Sequence, residues 1–307
     1  MFDIHEIPQG AAQSTEPLGT KYKFWYQDPT FGMTLFKEGR PNTGENWAEK
    51  IACELARSLH LPHANYEFAR YEGRSGIITR SLVDRGARVI HGNELLASFT
   101  TDYASRDGGA YRNSSHTLRR VLAYFRSSTD FLGAPYGWAT SPRLQTALDF
   151  FIGYLMFDAW IANQDRHDEN WGVLRMNDGN LFLSPSFDHG SSMARNEPDA
   201  RRLERLTTKD LPRHISRFVC QARSGFFPAG AQGKVPALFT LDAFLQAASQ
   251  SPAAATEWCE RLRAIDDAQI ESIVRKVPGD WMSEPARIFT SQLLLLNRHR
   301  ILQAFFS

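Results

Sequence analysis

The stretch NQDRHDEN, residues 163 to 170, places Asp165, Arg166, His167, Asp168, Glu169 and Asn170 directly behind an apolar run, and FDHGSS, residues 187 to 192, adds Asp188. Burying so many ionisable and amide groups is costly and packing has no need of them, so the run is either a solvated turn or a piece of chemistry. Phosphoryl transfer uses such a set. One carboxylate positions an acceptor hydroxyl, while an amide and a second carboxylate hold magnesium on nucleotide phosphates. Each pattern alone, D-x-x-x-x-N or D-x-G, also fits a polar turn with capping aspartates; the two in this order are more specific.

Elements must bring these residues together. The apolar run of residues 143 to 163 reads as a helix that delivers the chain to Asn163. Behind it, WGVL and NLFL flank Asp178 and Gly179, a hairpin signal, so the returning strand should bring Asp188 back beside Asp165 and Asn170. Upstream, YKFWY and MTLFK read as two strands around QDPTFG, with Lys37 closing the second. NTGENWAEKIACELARSLHL then repeats apolar residues at Trp47, Ile51, Leu55 and Leu59, with Asn and Thr as cap candidates and Pro62 beyond its end, and reads as an amphipathic helix. Phosphoryl transfer needs a cation on the phosphates, held by an acid on a small-lobe helix, and Lys37 and Glu49 fit those places. Glu45 and Glu54 share the helix with Glu49. Residues 64 to 71 and 75 to 82 read as two more strands around EGRSG, and the segments at about 94 to 104, 115 to 127 and 240 to 306 read as helical. The fold expected is α+β and bilobal: an extended lead-in over 1–17, a small mixed β/α N-lobe over 18–83, and a larger, mainly helical C-lobe over 84–307.

With LFKEGR, the Glu49 helix, NQDRHDEN and FDHGSS in place, the sequence resembles the HipA-like serine/threonine kinases from about Leu18 to its C-terminus. The D-R-H-x-x-N order is shared with phosphatidylinositol-kinase-like enzymes and differs from the H-R-D order of eukaryotic protein kinases. The resemblance implies Asp165 as catalytic base, Asn170 and Asp188 as magnesium ligands and Lys37 as the phosphate-binding lysine, with ATP as phosphate donor. It implies that His167 is a structural member of the loop, and leaves Arg166 to meet an acidic side chain or a substrate phosphate. LGTKYKF resembles the family's phosphate-covering loop, which implies that Gly19, Thr20 and Lys21 approach the nucleotide, although G-x-G-x-x-G is incomplete. Thr20, with Ser14 and Thr15 further out, is the candidate for autophosphorylation. IITRSL, residues 77 to 82, is the implied hinge, with Thr79, Arg80 and Ser81 against adenine. The resemblance further implies a toxin–antitoxin setting, a protein substrate in the translation apparatus, and a small antitoxin or accessory protein as partner. The kinase-like part begins almost at once, without the additional N-terminal subdomain of longer HipA-type toxins.

The whole chain narrows the alternatives. Lys plus Arg number 35 against 34 Asp plus Glu, a formal charge of +1, so no global field favours nucleic acid or an anionic membrane, and any polyanion site is local. Cys53, Cys220 and Cys259 are far apart and lack zinc-ligand spacing, which fits a reducing compartment; with no apolar stretch of membrane-spanning length, a cytoplasmic protein is expected. A kinase of this fold acting on a small molecule or lipid stays open, as does an inactive nucleotide-binding scaffold. The His167-Asp168 pair, with His116 upstream, also invites a metal-dependent phosphohydrolase reading, which leaves Lys37, Asn170 and Asp188 unexplained. The arginines from Arg195 to Arg217 read either as an activation-type segment docking an acidic target or as a solvated face paired with Glu197, Glu204 and Asp210. The stretch 105–142 reads as a lid or a plain connection between helices.

Overall fold

The computed structural model describes residues 1–15, 21–83, 86–103, 113–230 and 235–307. Its first part is built on strands β1 (Ile4–Glu6), β2 (Ser14–Thr15), β3 (Lys23–Asp28), β4 (Gly32–Glu38), β5 (Tyr66–Tyr71) and β6 (Arg74–Arg80), with helix α1 (Glu45–Ser58) between β4 and β5. They form one sheet in the order β1-β5-β6-β4-β3-β2. Side chains alternate across a strand, and this alternation sets the site. Phe24, Tyr26, Phe36, Tyr71 and Ile78 pack together on one face. Lys37, one residue beyond Phe36, therefore points the other way, towards α1.

Two local readings change. The segment 1–15 is extended as expected, but it also pairs: β1 runs parallel to β5 and β2 antiparallel to β3. The turn read over EGRSG tightens to Glu72 and Gly73, both at positive φ (48° and 78°), as a two-residue hairpin of type I′ requires. Arg74 and Ser75 belong to β6. The N-cap of α1 is Gly44, with no side-chain cap, rather than Asn42 or Thr43. A Cβ at Gly44 would lie 2.1 Å from the Trp47 ring, so the indole takes the space a capping side chain needs.

The second part is mainly helical: α2 (Gly92–Phe99), α3 (Leu118–Ser127), α4 (Ala147–Ile161), α5 (Asp199–Thr207), α6 (Ile215–Phe218), α7 (Thr240–Ala248), α8 (Pro252–Ala264), α9 (Asp267–Arg275) and α10 (Glu284–Phe306). Strands β7 (Arg88–His91), β8 (Leu132–Gly133), β9 (Gly172–Arg175) and β10 (Leu181–Leu183) make a small sheet in the order β7-β9-β10-β8. The expected hairpin is β9–β10, with Gly179 at φ 87° in its loop. β7 lies between the strand read to residue 82 and the helix read from about 94, where no strand was expected. The helix read over 94–104 ends at Phe99, because Thr100 is already extended. Of the stretch 105–142, the described residues from 113 hold α3, whose Leu118, Val121 and Phe125 are buried in the core, so that part is a packed element rather than a lid.

Helix α4 is the axis of this part. Every one of its residues is buried, because it is apolar all round and is covered by α7, α8 and α10. Trp160 Nε1 donates to the Leu294 carbonyl of α10 at 3.1 Å, and Asn297 Nδ2 returns to the Trp160 carbonyl at 3.0 Å. No helix among the described residues is long and apolar enough to cross a membrane.

The approach of α4 to α8 is set by Gly153. A Cβ there would sit 2.4 Å from Trp258 Cε2. Gly153→Ala is expected to lower stability by about 1 to 3 kcal/mol through overpacking, read as a lower urea midpoint at unchanged m-value.

Candidate active site

The segment after α4 is shaped by a buried ion pair. The helix stops at Ala162 in the left-handed conformation (φ 54°), and Asn163 Nδ2 donates to Asp158 Oδ1 at 2.9 Å. Arg166 then folds back on the helix. Its Nη2 and Nε reach the two oxygens of Asp158 at 2.7 and 2.8 Å, its Nη1 reaches the carbonyls of Asn170 (2.8 Å) and Phe187 (3.3 Å), and Nη2 also reaches Ser186 Oγ at 2.9 Å. A single side chain thus fixes the NQDRHDEN loop against the strand leading to Asp188. Of the two partners left open for Arg166, the acidic side chain is the one found. Arg166 is 1% exposed and does not face a substrate phosphate.

Asn170 is oriented by its own loop: its Nδ2 donates to the Asp165 carbonyl at 2.7 Å. That directs the amide oxygen away from the loop backbone. His167 Nδ1 accepts from the Glu169 amide at 3.1 Å, and Nε2 lies 3.8 Å from Asp165 Oδ1, a supporting position within the loop. Asp165 Oδ2 accepts from Ser191 Oγ at 3.2 Å.

From the N-terminal sheet, Lys37 Nζ reaches Asp188 Oδ1 at 2.6 Å and lies 3.6 Å from Glu49 Oε1. Glu49 is the α1 acid at the site. Glu45 instead pairs with Lys21, Arg40 and Arg195, and Glu54 with Lys50. The other Glu49 oxygen accepts from the His189 amide at 2.8 Å, and Gly190 is so close that a Cβ would stand 3.1 Å from Glu49 Oε1. Asp188 has a left-handed backbone (φ 55°), a conformation that Asp tolerates better than most residues. The Tyr66 hydroxyl accepts from its amide at 3.1 Å.

The electrostatics follow from one ammonium among two carboxylates. Burial would lower Lys37, but Asp188 and Glu49 together hold it above its ordinary value. Desolvation opposes ionisation of Asp188, yet Lys37 and Lys21 keep it well below the usual carboxylate range. Glu49 is raised from about 4.5 to about 7 by its burial, against the pull of Lys37 and with Asp188 adding to the rise.

The hinge residues lie at the end of β6. Ser81 donates its amide to the Met33 carbonyl at 2.9 Å, so by antiparallel alternation the N–H and C=O of Arg80 point to the opposite edge. β5 begins only at Tyr66, the partner of Thr79, and leaves that edge of Arg80 uncovered. Of the residues read as a hinge, Arg80 is the one whose backbone faces away from β4, and its carbonyl accepts from Thr79 Oγ1 at 3.4 Å. Gly19 and Thr20 lie outside the described residues, and Lys21 stands at 2.7 Å from Glu45. Ser14 and Thr15 form the exposed strand β2.

The competing readings lose their residues. His116 is buried, with Nδ1 at 2.9 Å from the Gly225 carbonyl and Nε2 accepting from Trp171 Nε1 at 3.1 Å. It is part of the core. The basic segment is paired as a surface helix would be: Arg201 and Arg213 with Glu204, Arg202 with Asp199, and Arg205 with Glu197. Asp158, Tyr66, Ser191 and Arg195 escaped the sequence reading of the site. Ser191 carried a signal in its place in FDHGSS, and Arg195 in its place at the head of the basic segment.

Asp188 and the amide oxygen of Asn170 suit a hard cation. Among the described residues no three His, Cys, Asp or Glu side chains gather into a metal site, so a magnesium ion there would draw the rest of its oxygen shell from phosphates and water.

Two outcomes test this arrangement. Asp158→Ala strands a buried guanidinium and is expected to cost about 3 to 5 kcal/mol in chemical denaturation. Glu49 gives a pH signature. Its folded value near 7 exceeds the unfolded value near 4.5, so the folded state binds the extra proton and stability falls as pH rises through that interval. The stability of the wild type relative to Glu49→Gln should decline between pH 5 and 7.5, on the order of 2 to 3 kcal/mol, and level off above it.

No family model and no curated protein sequence matches the chain. Solved structures do. The Helicobacter pylori proinflammatory kinase CtkA superposes with a TM-score of 0.71 at 17% identity, covering 95% of this chain and 92% of that one. HipA of Shewanella oneidensis MR-1, solved with HipB and its operator DNA, gives a TM-score of 0.53 at 13% identity over 97% of this chain and 68% of that one. At such low identity the likeness speaks to architecture: the chain has the bilobal HipA-like kinase fold.

Proposed function

We propose that this chain is a HipA-like protein kinase that transfers the γ-phosphate of ATP to a serine or threonine hydroxyl of another protein, with magnesium. The observation that carries the reading is Lys37 held between Asp188 and Glu49, beside the loop of Asp165 and Asn170, which Arg166 anchors through the Asn170 carbonyl. A surface turn has no use for a lysine delivered from a separate sheet. An inactive scaffold has no use for all four groups.

In this reading the Arg80 backbone binds the adenine edge, and Lys21 and Lys37 bind phosphate oxygens. Asn170 Oδ1 and Asp188 hold magnesium, which when bound offsets charge on the phosphates. Asp165 orients the acceptor hydroxyl and takes its proton as the new O–P bond forms. The bond from the γ-phosphorus to its bridging oxygen breaks, and ADP leaves with that electron pair. Lys37 must first be drawn from Asp188 towards the phosphates. His167 and Arg166 do no chemistry; they shape the loop.

The reading extends to the setting. We infer a small antitoxin-like partner and a target in the translation apparatus, with support from the Shewanella neighbour, which was solved with HipB and operator DNA. The second reading is a kinase of this fold with a small-molecule or lipid acceptor, and the test separates the two.

The test is transfer from γ-labelled ATP with magnesium in a bacterial lysate, fractionated into protein, lipid and small metabolites. Label is expected on a discrete protein. Asp165→Ala should cut the transfer rate about 10²- to 10⁴-fold while nucleotide binding, followed by fluorescence, persists. Label in the lipid or metabolite fraction would change the acceptor; binding without any transfer would leave a scaffold.

A further inference from the structure

The roles above leave one polar chain at the site unused, running from the first turn of α1 to the catalytic loop. It starts at Glu45, which is 3% exposed. Glu45 accepts from Lys21 Nζ at 2.7 Å, from the Arg40 amide at 3.1 Å and Nη1 at 2.8 Å, and from Arg195 Nη1. These cations hold its carboxyl down at about 2, against the opposing effect of burial. The other arm of Arg195, Nη2, donates to Ser191 Oγ at 3.0 Å. Ser191 Oγ is in turn 3.2 Å from Asp165 Oδ2.

The polarity of this chain is forced. A guanidinium only donates, so the Ser191 oxygen accepts from Arg195, and its single hydrogen is left for the Asp165 carboxylate. The backbones at both ends are tied as well. Gly44, the N-cap of α1, donates its amide to the Arg195 carbonyl at 3.0 Å, and the Gln164 amide donates to the Ser191 carbonyl at 3.2 Å. Ser191 therefore cannot drift from the loop, nor Arg195 from the helix. The Ser191 to Asp165 contact is long for an O–H···O bond, as contacts to a base often are before substrate arrives.

We propose that Ser191 and Arg195 are positioning residues for Asp165: Arg195 commits the Ser191 hydroxyl to the Asp165 carboxylate, and Glu45 makes that commitment depend on α1 being docked. The helix that presents Glu49 to Lys37 thereby also sets the rotation of the base. Nucleotide-side and acceptor-side groups are aligned by one element. The proposal rests on the kinase reading above, in which Asp165 meets the acceptor hydroxyl.

The experiment compares the full-length wild type with Ser191→Ala, Ser191→Thr, Arg195→Ala and the Ser191→Ala/Arg195→Ala pair. It measures kcat, KM for ATP, nucleotide affinity by fluorescence, and Tm. Ser191→Ala should lower kcat about ten- to hundredfold, the cost of a loosely held base, with nucleotide affinity and Tm as in the wild type. Ser191→Thr keeps the hydroxyl and should restore most of the rate. Arg195→Ala should lose kcat similarly and also weaken nucleotide binding, because Glu45 and Lys21 loosen with it. The double variant should lose no more kcat than the worse single one, since both act through one contact. An unchanged kcat in Ser191→Ala, a loss that tracks Tm, no rescue by threonine, or fully additive losses would each overturn the proposal. A wild type that binds nucleotide and transfers nothing would instead remove the kinase reading, and this proposal with it.

Discussion

The structure depends first on the guanidinium of Arg166. It is buried at the junction of α4, the loop of residues 163 to 170 and the segment that runs from β10 to Asp188, and its donors are divided among Asp158, Ser186 and the carbonyls of Asn170 and Phe187. A planar fork with fixed donor directions can bind several acceptors at once only if all of them hold their places. The pair with Asp158 is no great source of net stability, because desolvating two charges offsets most of their attraction. Its contribution is to geometry: it removes the freedom of two loops at once. Gly225 shows how tight the packing is, since a Cβ there would meet the Arg166 backbone at 2.4 Å.

A second constraint crosses from the other lobe. Helix α1 touches the C-lobe through carboxylates, Glu49 on the His189 amide and Glu45 on Arg195, and through Trp47, over which Arg202 lies at 5.9 Å. The two acids differ in burden. Glu45 meets three cations and ionises easily, whereas Glu49 shares a single ammonium with Asp188 and resists ionisation. The cleft thus holds one carboxyl whose charge is sensitive near neutral pH, beside a lysine and an aspartate that stay charged.

Much of this was legible in the sequence where the cause is local. Alternation in YKFWY and MTLFK forecast the hairpin that carries Lys37, and the Asp178-Gly179 turn forecast the ribbon that brings Asp188 back to the loop. Of the three acids on α1, Glu49 is the one that lies beside Lys37, but periodicity alone did not separate it from Glu45, because both are buried and both meet cations. What stayed hidden depends on partners far away in the chain. Asp158 lies in a helix that is otherwise apolar beyond its first turn and gives no sign that Arg166 will need it. Arg195 and Glu45 are 150 residues apart, and no local pattern marks them as partners. Strands β7 and β8 are too short to show a period, and β1 exists because β5 offers it an edge. Gly44 displaced the expected Asn or Thr cap through the Trp47 ring above it, a contact that capping preferences do not contain.

The burial of α4 on all sides has a consequence for the newly made chain. Part of its cover is α10, far later in the chain, and the contacts of Trp160 with Leu294 and Asn297 tie down the turn from which the loop of residues 163 to 170 departs. While α10 is still inside the ribosome, α4 has an uncovered apolar flank and its end lacks that anchor. The turn behind α4 gains that anchor only once α10 has left the ribosome and packed, so the site takes its final shape after the segment up to Phe306 has been made.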